Sequence, residues 1–552
     1  MITSAIKILN GTPTLTINNQ LIPHDAYITY FPEKAAYDDF TEAGFQLYSV
    51  PVFFSSKTIN EIGQVPPFSD GIFDREIPDF SIADRLFEAI LEECPEAYIF
   101  PRVNLSLPLI WEQANPDELC DTGFTKDRRP CFSSDKWAAD TKNYLGLFID
   151  HVEASPYRDH ICGYQLAGGN TEEWFSFDQK GSIGKRSREK FEEYVREHHI
   201  TPSEEEYFAF LSQMTAGRIC EFAQFAKEKT GHRLVVGAFY GYTFETPERQ
   251  SNHHALYQVL NCDSVDFLCS PISYMDNRGP GFAHPYMLPL DSLKKHGKLY
   301  FAENDSRTHL TRPPYDIPHF NRPVWMPRDK WLTVENLKLH FARALIHAHA
   351  FWWFDMWGGW YRYPLYMQML ADFHGIAKDS LQKDRGSVSE VAVIVDEKAN
   401  CYAAEGNGKA VCYDTRKTLG IMGTPFDSYL CEDYEAIKDR YKAFIVLAPC
   451  LTPKLQQILT ENPDCLVITP ENCKITSEEL RSFCRSRGVH LYSEKDAVVY
   501  VNRSYLFLHT VSDGPADLHL PEGVRLRQIY GDPVDIEKTG LPKYEGYLFE
   551  IE

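Results

Sequence analysis

The segment Gly163-Tyr-Gln-Leu-Ala-Gly-Gly-Asn-Thr-Glu-Glu-Trp174 changes from an apolar run to a polar turn within twelve residues. Its first part belongs to the run Ile161–Leu166, which is long enough for one buried strand. The residues Gly168–Thr171 suit a tight turn, and Glu172 and Glu173 follow directly beside an indole. A carboxyl group against an aromatic wall has a raised pKa, which suits it to donate a proton near neutral pH. The alternative interpretation is a pair of solvated loop glutamates.

The same alternation of short apolar runs and longer helical patterns extends over most of the chain. Runs that predict strands are Ala26–Phe31, Phe45–Phe53, Ala97–Val103, Ile161–Leu166, Leu234–Tyr240, Val265–Ile272, Lys298–Glu303 and Phe351–Met356. Helical patterns are Ala83–Glu93, Asp140–Ala154, Glu204–Lys229, His254–Leu260, Leu288–Lys295, Val334–His349 and Leu365–Lys378. Eight such units predict an α/β fold, a (β/α)8 TIM barrel with long inserts, with a doubly wound sheet as the competing fold.

Two smaller units are predicted after the barrel, and a hairpin before it. Residues 12–22 turn at Asn18-Asn19, which favours a lead-in hairpin. Past Gln382, strands are predicted at Val391–Val395, Ala443–Ala448 and Cys465–Thr469, and then at Ala497–Val501, Leu506–Val511, Asp517–Leu520, Leu526–Tyr530 and Tyr547–Ile551. We therefore expect a barrel over 1–385, a compact flavodoxin-like α/β domain over 386–505 and a small antiparallel β domain over 506–552.

Composition narrows the classes of partner. The 552 residues include 56 Lys and Arg against 78 Asp and Glu, a net charge of −22, which argues against nucleic acid and anionic membranes. No apolar run approaches a membrane span, and the first residues lack the features of a signal peptide. The 14 cysteines are scattered without a CxxC pair, as expected of reduced thiols. We expect a cytoplasmic protein without membrane or nucleic-acid partners.

A second glutamate stands at the end of a predicted barrel strand. Glu303 closes the run Lys298–Glu303, the seventh strand, whereas Glu173 follows the fourth. Active sites of such barrels form at the carboxyl ends of the strands. Glycoside hydrolysis needs one acid to protonate the leaving oxygen and one carboxylate at the anomeric carbon, so the pair predicts a sugar-cleaving enzyme.

Local motifs strengthen this interpretation through a family resemblance. The chain resembles the clan A glycoside hydrolases, and most closely the family 42 β-galactosidases. The stretches that carry the resemblance are Gly163-Tyr-Gln-Leu166, Glu173-Trp174, Glu303, Pro101-Arg-Val-Asn104 with Asn115-Pro-Asp-Glu118, and Phe351-Trp-Trp-Phe-Asp-Met-Trp-Gly-Gly-Trp360. The order of the predicted domains is similar as well, because this family follows its barrel with a flavodoxin-like trimerisation domain and a small β domain.

The resemblance implies an activity and an assembly. It implies Glu173 as acid/base and Glu303 as nucleophile of a retaining exo-β-glycosidase, with β-galactosides as the first expected substrates and β-mannosides or other β-glycosides as alternatives. A retaining site requires carboxyl groups about 5–5.5 Å apart. It also implies a homotrimer formed through residues 386–505, a small carbohydrate as the other partner, and no cofactor or metal.

One departure from the family pattern concerns the acid itself. The clan has Asn immediately before the acid, and here Glu172 occupies that place if Glu173 is the acid. Alternatively, Glu172 is the acid and Glu173 orients it. The aromatic residue after Glu173 fits the family pattern, so Glu173 is preferred. Asn170 is then expected to take the contact that the clan's Asn makes with the sugar 2-hydroxyl.

Further residues are expected in substrate binding. Arg102 is a candidate for keeping Glu303 ionised, with a rim salt bridge as the alternative. Tyr274 is expected to hydrogen-bond Glu303 or to be a core tyrosine. Asp305 is expected either to bind sugar hydroxyls or to brace its loop. Trp357 is expected to form the floor of the sugar pocket, because the C–H faces of pyranoses pack well on indole.

Two other classes of function compete. A catalytically silent sugar-binding barrel would tolerate the loss of Glu303, and the presence of both acids counts against it. A phosphate-binding isomerase would want a glycine-rich nest after strands seven and eight. Gly358-Gly359 is the one suggestion of such a nest, and its neighbours are too aromatic to support it.

Overall fold

The computed structural model describes residues 1–56, 70–121, 128–169, 171–175, 184–275, 278–312, 326–536 and 540–552. Eight parallel strands close into a barrel, each pairing with the next along the chain and the last with the first. They are β1 (Asp25–Ile28), β2 (Leu47–Phe53), β3 (Tyr98–Asn104), β4 (Gly163–Ala167), β5 (Val235–Phe239), β6 (Phe267–Pro271), β7 (Leu299–Asn304) and β8 (Ala350–Phe354). Each overlaps one of the eight predicted strands, and the predicted (β/α)8 fold is confirmed.

Helices lie between the barrel strands and after the last of them. They are α1 (Tyr37–Glu42), α2 (Ser81–Glu93), α3 (Leu109–Ala114), α4 (Asp135–Ala154), α5 (Lys185–His198), α6 (Glu204–Lys229), α7 (Leu256–Leu260), α8 (Leu290–Lys295), α9 (Lys330–Ile346) and α10 (Pro364–Ser380). Side chains cap several of them, since Ser134 accepts a hydrogen bond from Trp137 N and Asp329 accepts from Leu332 N. A short hairpin, Leu119–Asp121 with Arg128–Pro130, lies in the insert after β3. Within the described ranges, no helix has both the length and the apolar character to cross a membrane.

An N-terminal sheet covers the amino end of the barrel. Its strands are Ser4–Leu9, Thr12–Ile17 and Gln20–Leu21, and the turn at Asn18 and Asn19 has φ of 49° and 63°, as a tight hairpin requires. The first of these strands was not predicted. Ser4 Oγ donates to Cys162 O and accepts from Val235 N at 2.9 Å, which ties the sheet to the starts of β4 and β5. The opposite end of the barrel is therefore the end available for a site.

The second unit has a four-stranded parallel sheet in the order β10-β9-β11-β12. Its strands are β9 (Val391–Val395), β10 (Phe426–Leu430), β11 (Ala443–Leu447) and β12 (Leu466–Ile468), and its helices are α11 (Glu397–Tyr402), α12 (Thr415–Gly420), α13 (Tyr434–Ile437), α14 (Pro453–Glu461) and α15 (Ser477–Ser486). Strand β10 was not predicted because Asp427 and Ser428 interrupt its apolar pattern. Buried Asp427 accepts a hydrogen bond from the Tyr441 hydroxyl at 2.7 Å, so the strand tolerates a carboxylate.

The third unit is an antiparallel sheet in the order β13-β14-β16-β15. Its strands are β13 (Ala497–Val501), β14 (Tyr505–Thr510), β15 (Leu526–Tyr530) and β16 (Gly546–Ile551), and Gly514–Pro515 pairs with Gly540–Leu541 nearby. The sheet thus begins before the predicted boundary at 505/506. The strand predicted at Asp517–Leu520 is wrong. His519 N donates to Tyr492 O at 2.8 Å, so the backbone of this segment hydrogen-bonds to a loop of the second unit and not to a neighbouring strand.

Candidate active site

The chain after β4 leaves the barrel and returns to it within six residues. Glu173 forms an isolated parallel bridge with Gly168, the residue that follows the strand. Gly168 N donates to Glu172 O at 3.2 Å, and Trp174 N donates to Gly168 O at 2.7 Å. Glu173 therefore lies beside the end of β4 although five residues separate them in the sequence. This short detour brings the acid to the mouth of the barrel.

The backbone of this detour is strained. Thr171, Glu172 and Trp174 have φ of 55°, 70° and 62°, a region that costs a residue with a side chain about 1–2 kcal/mol. The strain is offset by burial, since Trp174 is fully buried and its Nε1 donates to Leu166 O at 3.0 Å. Gly169 requires glycine, because its φ is 70° and a Cβ there would lie 2.6 Å from Phe175 O, while a Cβ at Gly168 would lie 3.2 Å from the Trp174 ring. Strain that surrounding packing maintains is typical of functional sites.

Glu173 is surrounded by hydroxyl groups. Its Oε1 accepts from the Tyr242 hydroxyl at 2.9 Å and lies 3.5 Å from the Tyr274 hydroxyl, and its Oε2 accepts from Thr171 Oγ1 at 2.6 Å. Among the described residues, no cation forms an ion pair with it. Burial raises the pKa of Glu173 to about 8, and the negative charge of Glu303 adds to that rise, while the hydrogen bonds from Thr171 and Tyr242 oppose it. Glu173 is therefore mostly protonated at pH 7.

Glu303 has an environment of the opposite kind. Its Oε2 lies 2.5 Å from Arg102 Nη2 and accepts from Trp352 Nε1 at 3.0 Å, and the residue is 5% exposed. Burial raises the pKa of Glu303 above its ordinary value, and the charge of Arg102 and both hydrogen bonds limit that rise by stabilising the ionised form. The contact with Glu303 proposed for Arg102 from the sequence is present, and it is buried rather than at the rim.

Glu172 lies in a third environment that is connected to that of Glu303. It is fully buried, its Oε2 accepts from the Tyr30 hydroxyl, and its Oε1 lies 3.4 Å from Asn104 Nδ2. Arg102 Nη1 is 3.8 Å from Glu172, so one guanidinium serves both Glu172 and Glu303. Arg102 Nε also donates to Gln165 Oε1 at 3.0 Å, which fixes the plane of the guanidinium. Burial raises the pKa of Glu172, and Arg102 opposes that rise.

The remaining predicted residues line the same end of the barrel. Asp305 accepts from Arg278 Nη1 at 2.7 Å in a buried ion pair, so the loop-bracing interpretation describes its contact. The Arg278 guanidinium lies 4.5 Å from the centre of the Tyr274 ring. Trp357 is only 3% exposed, and the Arg307 guanidinium lies 5.2 Å from the centre of its ring. Little of the Trp357 surface is thus open to a ligand in this structure.

Tyr274, predicted to hydrogen-bond Glu303 or to be a core tyrosine, follows β6 by three residues. Its hydroxyl lies 3.5 Å from Glu173 Oε1, a contact that the sequence did not predict. A hydrogen bond from Tyr274 to Glu303 stays a prediction. Asn170, expected to contact the sugar 2-hydroxyl, lies outside the described residues.

Five residues that contact the three glutamates were not predicted as site residues. They are Tyr30, Asn104, Thr171, Tyr242 and Trp352. Tyr30 and Tyr242 follow β1 and β5 by two and three residues, and Trp352 lies within β8. For Tyr30 and Tyr242, the position just past a strand end, combined with the barrel rule, was the signal available.

The described residues contain one group of side chains that could hold a metal ion. The ligand atoms of Asp396, Cys431 and Glu432 all lie within 4.8 Å of one another. They follow β9 and β10 in the second unit, not the barrel strands.

At the mouth of the barrel, Glu173 offers a proton donor and Glu303 offers a carboxylate held by a cation. Such a pair suits acid-assisted displacement at carbon.

Comparison with known proteins rests on structure alone. No protein-family model matches the chain, and no curated protein sequence matches it. Among solved structures, the β-galactosidase from the psychrophilic Marinomonas ef1 matches with a TM-score of 0.61 and 11% identity over 95% of this chain and 99% of that one. The cold-adapted β-galactosidase from Rahnella sp. R3 matches with a TM-score of 0.62 and 10% identity over 96% and 98%.

A third similar structure belongs to a protein described as a member of glycoside hydrolase family 42 (GH42). Gan42B, a GH42 β-galactosidase from G. stearothermophilus, matches with a TM-score of 0.59 and 10% identity over 96% of this chain and 98% of that one. Identities this low show a shared fold and no more. The chain therefore has, over nearly its whole length, the fold of these GH42 β-galactosidases.

Proposed function

We propose that the chain is a retaining exo-β-glycosidase that hydrolyses terminal β-galactosides by double displacement. The observation that carries the proposal is the unequal treatment of two carboxyl groups at one end of the barrel. Glu303 has a buried cationic partner at 2.5 Å, whereas the pKa of Glu173 is raised to about 8. Pairs of carboxyl groups whose environments separate their pKa values in this way divide into nucleophile and acid.

In the first step, the Glu303 carboxylate attacks the anomeric carbon of the bound sugar. The bond from that carbon to the glycosidic oxygen breaks, and Glu173 gives its proton to the departing oxygen. A covalent glycosyl-enzyme remains on Glu303, and Glu173 is now ionised. Arg102 and Trp352 then contact the oxygen of an ester instead of a free carboxylate, so their contacts are strongest before attack and after release.

In the second step, the ionised Glu173 takes a proton from a water molecule that attacks the same carbon. The ester bond to Glu303 breaks, the sugar leaves with its original anomeric configuration, and both glutamates regain their starting protonation states. The hydroxyl groups of Thr171 and Tyr242 donate to Glu173 and stabilise it while it is ionised between the two steps.

Glu173 is a better acid than its neighbour for a physical reason. Glu172 is fully buried and occupied by Tyr30 and Asn104, with Arg102 nearby to favour its charge. Glu173 retains 6% exposure, and Tyr274 beside it is 36% exposed. A proton donor has to reach the glycosidic oxygen, so the partly open carboxyl fits that role. Glu172 then acts on the site through Arg102.

The choice of β-galactosides comes from the similar structures, which are β-galactosidases. It is tested with 4-nitrophenyl β-D-galactoside, β-D-mannoside, β-D-glucoside and β-D-fucoside as substrates of the wild type. We expect the galactoside to have the highest kcat/KM. Preference for the mannoside would leave the proposed glycosidase activity in place and change only the proposed sugar. Hydrolysis of none of these glycosides would refute the proposal.

The mechanism is tested with Glu303→Ala and sodium azide. Azide can enter the space of the missing carboxylate and attack the activated sugar, so 2,4-dinitrophenyl β-galactoside should yield the α-galactosyl azide, identified by NMR. Glu335→Ala is the matched control, because Glu335 is a partly buried glutamate of α9 that pairs with Lys338 at 2.6 Å. The control should retain activity without azide. A fully active Glu303→Ala enzyme would exclude Glu303 as the nucleophile.

A further inference from the structure

The turn that follows β5 is held by the second unit. It spans 241–246 and carries Tyr242, whose hydroxyl donates to Glu173 at 2.9 Å. Asn400 of α11 donates from Nδ2 to Thr243 O at 2.9 Å. Arg416 of α12 forms an ion pair with Glu245, with 2.9 Å between Nη2 and Oε2. Two side chains of the second unit thus grip one active-site turn of the barrel.

Glu245 connects this turn to the segment after β6. Its Oε1 accepts a hydrogen bond from Tyr274 N at 2.6 Å, while its Oε2 faces Arg416. Its own main-chain N donates to Tyr242 O at 3.0 Å. Glu245 therefore contacts the backbone of both tyrosines whose hydroxyls lie near Oε1 of Glu173. Both of its carboxylate oxygens have partners, and its side chain is 2% exposed.

Arg416 is itself fixed in place by several contacts. Its Nη1 donates to Tyr286 O at 2.8 Å, its Nε donates to Tyr413 O at 3.2 Å, and its guanidinium lies 4.7 Å from the centre of the Tyr413 ring. Among the described residues, Arg416 is the only cation that pairs with Glu245. A buried carboxylate that loses such a partner has to move toward water or take up a proton.

We infer that Arg416 is a positioning residue for proton donation by Glu173. The ion pair holds Glu245, and Glu245 holds the main chain of Tyr274 and Tyr242. The Tyr242 hydroxyl hydrogen-bonds Oε1 of Glu173, and the Tyr274 hydroxyl lies 3.5 Å from the same oxygen. The inference rests on the proposed function, in which Glu173 protonates the leaving oxygen. It adds a catalytic purpose to the second unit that is separate from any contact between subunits.

The inference differs measurably from a role in joining the two units. A residue that only joins them affects the amount of folded enzyme and so lowers kcat/KM for every substrate alike. A residue that positions the acid matters only where the leaving group needs a proton. Poor leaving groups such as methoxide or phenoxide need one, whereas 2,4-dinitrophenoxide leaves without one.

The experiment compares the full-length wild type with Arg416→Met, Arg416→Lys and the double variant Arg416→Met/Glu245→Gln. In the double variant, the glutamine side chain keeps an acceptor for Tyr274 N and needs no cation, so this variant guards against misfolding of the single one. Arg481→Met is the matched control, since Arg481 is a similarly buried arginine of the second unit that pairs with Asp496 at 2.9 Å. The readout is kcat/KM on aryl and alkyl β-galactosides of graded leaving-group pKa.

For Arg416→Met we expect a loss of about tenfold to a hundredfold on phenyl and methyl β-galactosides, the size that a displaced catalytic group produces. The loss on the 2,4-dinitrophenyl substrate should stay within about twofold, because this leaving group departs without a proton from Glu173. Arg416→Lys and the double variant should recover part of the loss, and Arg481→Met should follow the wild-type dependence. Equal losses on all leaving groups, or no loss, would overturn the inference while an active wild type upholds the proposed function.

A crystal structure of Arg416→Met decides the point without any activity, and so remains informative if the wild type hydrolyses no glycoside. We expect the Tyr274 and Tyr242 hydroxyls to be displaced from Glu173 Oε1 relative to the wild type. If both hydroxyls keep their distances to Oε1 in the variant, Arg416 does not position them.

Discussion

The guanidinium of Arg102 and the carboxylate of Glu303 form a buried ion pair with 2.5 Å between Nη2 and Oε2. The same guanidinium lies 3.8 Å from Glu172. Arg102 comes from β3 and Glu303 from β7, so the pair spans the barrel interior instead of joining neighbouring strands. Removal of the Arg102 guanidinium therefore changes the protonation equilibrium of Glu303 directly.

Replacement of Arg102 by Met should raise the pKa of Glu303, since burial would then act without an opposing charge. Glu303 would then stay protonated up to a higher pH, so the acidic limb of the profile of kcat/KM against pH should move to higher pH. We expect kcat/KM at pH 7 to fall by about a hundredfold, the size of the loss when one electrostatic partner of the reacting groups is removed. Arg186→Met, which removes a half-exposed ion pair with Glu118, should leave the limb in place. An unshifted limb in Arg102→Met would contradict the expectation.

The alkaline limb of the profile should report Glu173. Its pKa is raised to about 8, and the acid works only while it is protonated, so kcat/KM on phenyl β-galactoside should fall as the pH rises through about 8. The 2,4-dinitrophenyl substrate should lack this limb. In Tyr242→Phe the hydrogen bond that lowers the pKa is lost, so the limb should move to higher pH. A limb that is the same for both substrates would assign it to another group.

Glu172 and Glu173 should respond differently to truncation. Glu173→Ala should keep most of its kcat/KM on 2,4-dinitrophenyl β-galactoside and lose about a hundredfold to ten-thousandfold on phenyl β-galactoside, the usual contribution of a general acid. Azide should accelerate its second step and give the β-galactosyl azide. Glu172→Ala removes a neighbour of Arg102, so it should lower kcat/KM for both substrates and give no glycosyl azide. The reverse pattern would make Glu172 the acid.

Substitution of the two catalytic glutamates should change stability with opposite signs. The folded-state pKa of Glu173 lies above its ordinary 4.5, so its contribution is fully present below pH 4.5 and is lost as the pH rises to about 8. Glu173→Gln removes this loss and should stabilise the protein at pH 7 by up to about 3 kcal/mol. Glu303→Gln leaves Arg102 without its closest partner and should destabilise by about 3–5 kcal/mol.

Thermal unfolding of both variants at pH 5 and pH 8 is the measurement. The gain in Tm of Glu173→Gln over the wild type should be larger at pH 8 than at pH 5. A gain that does not depend on pH would mean that the pKa of Glu173 in the folded protein is not raised.

Hydrophobic patterning was sufficient to predict the barrel. Its eight strands are buried on both faces and read as continuous apolar runs, so even β4 and β7, which carry the site, were found within two residues of their observed ends. Patterning failed where polar residues are buried with partners, as at Asp427 in β10. It also failed at Asp517–Leu520, where the residues look like a strand but His519 N bonds to a loop of the second unit instead of a neighbouring strand.

The candidate site was predicted in its residues more than in its contacts. Glu173, Glu303 and Arg102 come from strand ends that the barrel rule brings together. That rule does not give the direction of a side chain two or three residues past a strand, which is why the contacts of Tyr30 with Glu172 and of Tyr242 with Glu173 were not predicted. Glu245 and Arg416 were out of reach, because their pairing depends on how two domains dock.

The detour between Gly168 and Glu173 also determines how other chains of this kind can be recognised. In space the acid is the immediate successor of β4, but in sequence four residues separate it from Gly168. A search motif that places the acid directly after the strand would pass over such chains. A motif written as a strand, two glycines, three further residues and then an acid followed by tryptophan fits this chain, since the indole packs on Gly168 and Gly169 has φ of 70°.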